Sequence, residues 1–477
     1  MSAGKVQVKR QNAKGKSGRR GSARSSPLTF DFCLLTFAFL LLASAAHAAD
    51  PAADRRTLLN GAQLIVSEQH ALPMVVVQMI IDAGARRDPH GQEGLAALTA
   101  DLLTEGTKTR SATQISAAAD FIGASLGSSA DSDYANLSLT VLCKDLDTGL
   151  SLLTDILLHP SFPDAEVKRR REAALASMKA SEDDPGNVAQ RAFVHSLFGD
   201  EPYGHLAIGT PPTVQGLTRK DLVAFYERYY RPEHSIITVV GDVTAVDIEQ
   251  RLQSALKEWT PANVPAFAYP AIGAPHPETL TVQKPISQAN IILGQRGVAR
   301  DNPDYYALTI MNYVLGGGGF SSRLLDNIRT KAGLAYSVGS LFSVNKSPGS
   351  FQVVMQTKNE SANDAIQRAC GEIARIRTEP ISDDELKEAK LYLTGSFPLR
   401  LDTNAKIAGF LAQVEFFNLG ADYADTYAQR INAVTKEEVQ RVARQYLHPE
   451  QMELVVVANL EQAQIPTTAP CARSPES

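Results

Sequence analysis

The chain has 477 residues, 44% hydrophobic and 21% charged, with 32 Gly and 25 Pro. That balance excludes a disordered, collagen-like or coiled-coil protein and allows roughly two to four domains, each able to bury its own core. The basic residues from Lys5 to Arg24 precede every acid in the chain, so the remainder carries all 52 acidic residues and is clearly acidic. Beyond the N terminus the one compact basic run is Lys168-Arg169-Arg170-Arg171. Nucleic acid is therefore not an expected partner.

The basic N terminus leads into the apolar stretch Phe32 to Ala43 and then Ser44-Ala45-Ala46-His47-Ala48. This order of charge, short apolar block and small-residue site predicts a signal peptide over residues 1–48, cleaved after Ala48, and an exported chain, periplasmic or secreted. No later segment has eighteen uninterrupted apolar residues, so no stable membrane span is expected after cleavage. Cys33 leaves with the signal, and Cys143, Cys370 and Cys471 remain as an odd, scattered set, read as buried or incidental rather than as a disulfide framework.

Strands are predicted at Met74 to Asp82 and at Leu137 to Val141, the latter within an alternating pattern suited to a sheet with one buried face. Helices are predicted over Glu93 to Thr104 and Asp164 to Ala180. Thr218 to Val240 reads as a Thr-capped helix, a Pro break and a buried strand. The same design recurs at Thr435 to Val457, with Tyr229, Pro232 and Glu233 matched by Tyr446, Pro449 and Glu450. Asp164-Ala-Glu166-Val-Lys168 and Asp383-Asp-Glu385-Leu-Lys387 form a second pair at a nearly equal offset. The chain thus reads as a duplication, with a Pro-rich linker over residues 261–278 between an N-terminal domain (49–260) and a C-terminal domain (279–477). The fold class is α+β, two α/β-sandwich halves, each a sheet backed by helices.

Gly94 to Thr107 (GLAALTADLLTEGT), the later HLAIGTPPTVQGL segment, both helix-Pro-strand units and the linker together resemble the pitrilysin/insulysin family of zinc peptidases, most closely its processing-peptidase branch. The similarity runs from about Leu58 to Asn459 and implies two half-domains joined into a clamshell. Laid on the family's HxxEH pattern, the two His positions fall on Ala97 and Asp101 and the Glu on Ala100, while the third ligand position falls on Ser177. None is His or Glu, so this chain is expected to bind no zinc. His90-Gly-Gln-Glu93 is a partial match but stands in a turn, and Asp101 alone reads as a solvated or paired helix carboxylate.

The second half keeps more of the family pattern. Tyr313-Val-Leu-Gly316 to Phe320, followed by Arg329 and Tyr336, looks like the family's second-half signature, in which an Arg and a Tyr seven positions apart hold the scissile carbonyl and its developing oxyanion. Without that context, Arg329 reads as a surface helix residue and Tyr336 as a core aromatic at a strand start. The four glycines lack the Lys of a phosphate-binding loop and read as a flexible, closely approached loop.

The resemblance implies a metal-free subunit that contributes Arg329 and Tyr336 to an HxxEH-bearing homologous partner, with zinc on that partner and a peptide as substrate, for which Leu137 to Val141 is one candidate pairing strand. Such a chain is expected to be inactive alone, as part of a zinc endopeptidase complex. The alternative is a non-catalytic peptide-binding or assembly subunit, resembling the core proteins of respiratory complexes.

Overall fold

Strand order repeats between the two halves of the chain. The computed structural model describes residues 52–269, 273, 277–465 and 471, so the signal-peptide reading lies outside the described residues. The first half contains β1 (Asp54–Thr57), β2 (Gln63–Glu68), β3 (Met74–Ile81), α1 (Leu95–Leu102), α2 (Ala112–Phe121), β4 (Ser125–Ala130) and β5 (Ala135–Leu142). It continues through α3 (Leu146–Leu158), α4 (Asp164–Ser181), α5 (Pro185–Phe198), α6 (Pro211–Gly216), α7 (Arg219–Tyr229), β6 (Ser235–Gly241) and α8 (Ala245–Ala255). The second half contains β7 (Thr279–Gln283), β8 (Gln288–Arg296), α9 (Tyr305–Asn312), β9 (Ala335–Ser343), β10 (Ser350–Lys358) and α10 (Ala362–Thr378). It ends with α11 (Asp383–Ser396), α12 (Asn404–Phe416), α13 (Tyr423–Ala433), α14 (Lys436–Tyr446), β11 (Glu453–Ala458) and α15 (Leu460–Ala463).

The sheets run β1-β2-β6-β3-β5-β4 and β7-β11-β8-β10-β9. Dropping β1 leaves the same five-strand order, and the pairing senses agree: β2 with β6 and β7 with β11 are parallel, the other neighbours antiparallel. The repeated sequence unit explains the repeated fold. Thr218 and Thr435 each cap a helix, α7 and α14, through reciprocal bonds with Asp221 and Glu438. A Pro-led turn then delivers each chain into a wholly buried central strand, β6 or β11.

Each half lends a helix to the other. On α5 of the first half, Ala189, Phe193 and Leu197 pack against Ile292, Val455 and Val457 of the second sheet. On α12 of the second half, Ile407, Ala408, Leu411 and Ala412 pack against Ile65, Val76, Ile80 and Val240 of the first. Residues three and four apart share a helix face, so these sets form one apolar stripe per helix.

Two expectations change. Strand β5 forms as the alternation implied, but it lies between β3 and β4, so both of its edges are paired and Leu137 to Val141 cannot accept an added peptide strand. The strands that end the sheets are β1 and β4, and β7 and β9. Cys370 on α10 and Cys471 form a disulfide with Cα atoms 5.3 Å apart, although 101 residues separate them in sequence. Cys143 is free, and burial raises its thiol pKa, disfavouring the reactive thiolate. The arginines of the basic run on α4 have partners within the fold: Arg169 and Arg170 grip Glu105, and Arg171 donates to the Leu217 carbonyl at 2.9 Å.

Candidate functional site

Helix α1 carries the positions of the family's metal motif. Its N terminus is held by Asp88, whose carboxylate accepts from the backbone N–H groups of Gly94 and Ala96, both at 2.8 Å. Burial nevertheless pushes the Asp88 carboxyl up to about 7. Leu95, Leu98 and Leu102 face the first-half core, so the apolar stripe forms the helix without any metal ligand. The helix is shorter than the pattern over Glu93 to Thr104, because it tightens into a 3₁₀ turn at Leu103–Glu105. The turn before it places His90 in solvent, 3.7 Å from Glu93, as the loop reading expected.

At the motif positions Ala97 is half-buried, Ala100 is fully buried and Asp101 is exposed; Ser177 is exposed on α4. Partial desolvation raises the Asp101 carboxyl, opposed by the Arg170 charge and reinforced by Glu105. A zinc centre needs three or four converging His, Cys or carboxylate donors. Two methyl groups, one carboxylate and one hydroxyl do not fit it. Among the described residues no group of three His, Cys, Asp or Glu side chains is placed to hold a metal ion.

The second-half cluster is differently equipped. Tyr313–Gly317 and Leu325–Lys331 are π-helical, and Gly319–Ser321 forms a 3₁₀ turn between them. The glycine run is therefore wound into turns rather than open as a loop. Close approach is its purpose: a Cβ on Gly316 would lie 2.5 Å from the Ser340 backbone on β9. Arg323 anchors the segment to α11 through two bonds to Glu385, at 2.6 and 2.8 Å.

Arg329 projects from the second π-helical stretch, and Tyr336 is the second residue of the sheet-ending strand β9. The Arg329 guanidinium carbon lies 5.5 Å from the Tyr336 ring centroid and 5.0 Å from that of Phe320, so the cation is flanked by two aromatic rings. Tyr336 and Phe320 are each 74% exposed, which overturns the reading of Tyr336 as a core aromatic. The nearby Asp326 is taken by Lys331 at 2.7 Å, and among the described residues Arg329 has no ion-pair partner. Arg329 thus offers its N–H donors, and Tyr336 its hydroxyl, to an incoming carbonyl or carboxylate oxygen. Phe320 was not singled out from sequence; its one signal is an aromatic residue directly after the glycine run.

The comparisons agree with the duplicated fold. A family model described as insulinase, peptidase family M16, matches residues 64–210, and one described as the peptidase M16 inactive domain matches residues 216–393. An uncharacterized zinc protease of Streptomyces coelicolor is 30% identical over 405 residues, covering 82% of this chain and 87% of its own. The uncharacterized zinc protease YmxG of Bacillus subtilis is 26% identical over 397 residues, covering 82% and 95%. Among solved structures, a peptidase M16 inactive domain from Pseudomonas fluorescens matches with a TM-score of 0.81 at 28% identity, covering 85% of this chain and 98% of that one. A protease from Helicobacter pylori shares the fold, with a TM-score of 0.77 at 21% identity, covering 85% and 99%. With both family domains present in order and a 30%-identical relative spanning most of both chains, this chain belongs to the insulinase family, peptidase family M16.

Proposed function

We propose that this chain is the metal-free subunit of a two-chain peptidase of the processing-peptidase type, whose homologous HxxEH-bearing partner holds the zinc. The supporting observation is the asymmetry between the halves. The motif positions Ala97 and Ala100 carry no donor, whereas a half-buried Arg329 and an exposed Tyr336 stand together, with no ion-pair partner for the guanidinium among the described residues. An unneutralised cation and a hydroxyl, held on a π-helical turn and a sheet edge, suit stabilisation of charge that develops on a peptide carbonyl oxygen. An extended peptide would pair with a sheet-ending strand, β4 or β9, rather than with β5. In this reading the chain is exported and cleaved after Ala48, and the Cys370–Cys471 disulfide favours that oxidising destination.

The test is reconstitution. The purified chain alone is expected to bind no stoichiometric zinc by metal analysis and to cleave no oligopeptide; with its HxxEH homologue it is expected to restore hydrolysis. Zinc-dependent cleavage by the lone chain overturns the reading, and a complex that forms but hydrolyses nothing moves the protein to an assembly or peptide-binding role.

A further inference from the structure

A cavity of about 490 Å³ opens where the end of α5 meets the second sheet and α14. Its lining includes Glu453, Glu201, Arg296, His448, Phe198 and Tyr446, none of which belongs to the Arg329–Tyr336 cluster. Glu453, the first residue of β11, is 4% exposed, and among the described residues its Oε2 has no hydrogen-bond partner. An unpaired buried carboxylate oxygen is a costly feature for a fold to carry.

Among the described residues no cation forms an ion pair with it, although the Ser196 hydroxyl and the charge of Arg296 favour its ionised form. Arg296 is committed to Glu201 through two bonds, at 2.9 and 2.5 Å, and its guanidinium stacks on Phe198. Glu278, whose Oε1 accepts from the Ser196 hydroxyl at 3.0 Å, adds a further negative charge beside Glu453. The last turns of α5 and α14 also line the cavity, and helix C termini carry partial negative charge. Two carboxylates beyond the Arg296–Glu201 pair and two helix C termini therefore favour a cation. The cation is not a metal ion, since no suitable trio of ligands is grouped among the described residues. An alkylammonium meets the site better: one carboxylate takes its charge, and Phe198 and Tyr446 offer apolar surface to its chain.

We propose that this cavity binds a primary ammonium group carried on a short alkyl chain, with Glu453 as its counter-charge. A free diamine and a lysine side chain share this chemistry. Titration calorimetry of the purified protein at pH 8 with 1,5-diaminopentane and, separately, with Nα-acetyl-lysine methylamide distinguishes the two sources. At least one is expected to bind saturably. Glu453→Gln is expected to weaken that binding at least about tenfold, and Glu453→Asp, which keeps the charge, to retain part of it, with circular dichroism showing both variants folded. No heat beyond that of equimolar sodium chloride for either probe, or equal binding to wild type and Glu453→Gln, overturns the proposal.

Discussion

Arg329 holds its place between Phe320 and Tyr336, and the three residues are expected to contribute unequally. A cation–π contact at an exposed site is worth about 0.5–1 kcal/mol, so Phe320→Ala is expected to slow the reconstituted enzyme only about two- to fivefold. A hydroxyl that bonds the developing oxyanion is worth about 10²–10³ in kcat, so Tyr336→Phe is the sharper change. Single-turnover kinetics on the two-chain complex check both, and an unchanged rate for Tyr336→Phe removes Tyr336 from the mechanism.

Glu453 yields a stability prediction of definite sign. Burial first, then the charge of Glu278, raise its carboxyl from 4.5 to about 7, against the Ser196 hydrogen bond and the Arg296 charge. The folded state therefore holds a proton that the unfolded state has released, and stability falls as pH rises from about 4.5 through 7. At about 1.4 kcal/mol per pH unit the loss approaches about 3 kcal/mol. Glu453→Gln is expected to abolish that contribution, so its melting temperature should gain on wild type progressively from pH 5 to pH 8. A gap that stays constant across that range would show Glu453 to be ordinary.

The exchanged helices set the stability at the level of elements. Phe193 on α5 is fully buried against the second sheet, and Phe193→Ala is expected to cost about 3–5 kcal/mol. Gly294 on β8 faces it, and a Cβ there would lie 2.7 Å from the Phe193 ring and 2.4 Å from the Phe351 carbonyl oxygen. Gly294→Ala is accordingly expected to cost about 1–3 kcal/mol by overpacking. Urea titration of each variant measures both. Helices α1 and α4, strands β3 and β5, and the capped helix-Pro-strand repeats were legible in the chain because periodicity, caps and breakers are local signals. The position of β5 inside its sheet was not, because alternation reports which face is buried and carries nothing about which edges are paired.

Across the whole molecule the two halves are interlocked. Besides the exchanged helices, the Lys346 backbone N–H of the second half donates to Asp133 of the first at 3.1 Å, and the buried Tyr203 hydroxyl holds the other Asp133 oxygen at 2.5 Å. Arg86 and Arg87 tie the start of the linker to the first half, bonding the Tyr269 hydroxyl at 3.0 Å and the Pro265 carbonyl at 3.2 Å. The halves are therefore expected to unfold together, in one calorimetric transition, and a fragment ending at residue 260 should expose the apolar face of α5 and aggregate. The Cys370–Cys471 bridge ties Cys471 to α10, so Cys370→Ser is expected to lower the melting temperature, with a cost of about 2–4 kcal/mol.

By itself, the order of residues determined the duplication, the α+β class, the family resemblance and the loss of metal donors at Ala97, Ala100, Asp101 and Ser177, since each depends on residue type at fixed spacing. Tertiary structure alone decided which half each of α5 and α12 packs on, which strands end the sheets, that Cys370 meets Cys471, and that Phe320 flanks Arg329. Those contacts join residues far apart in the chain, and their energies depend on distance in space, which local pattern does not encode.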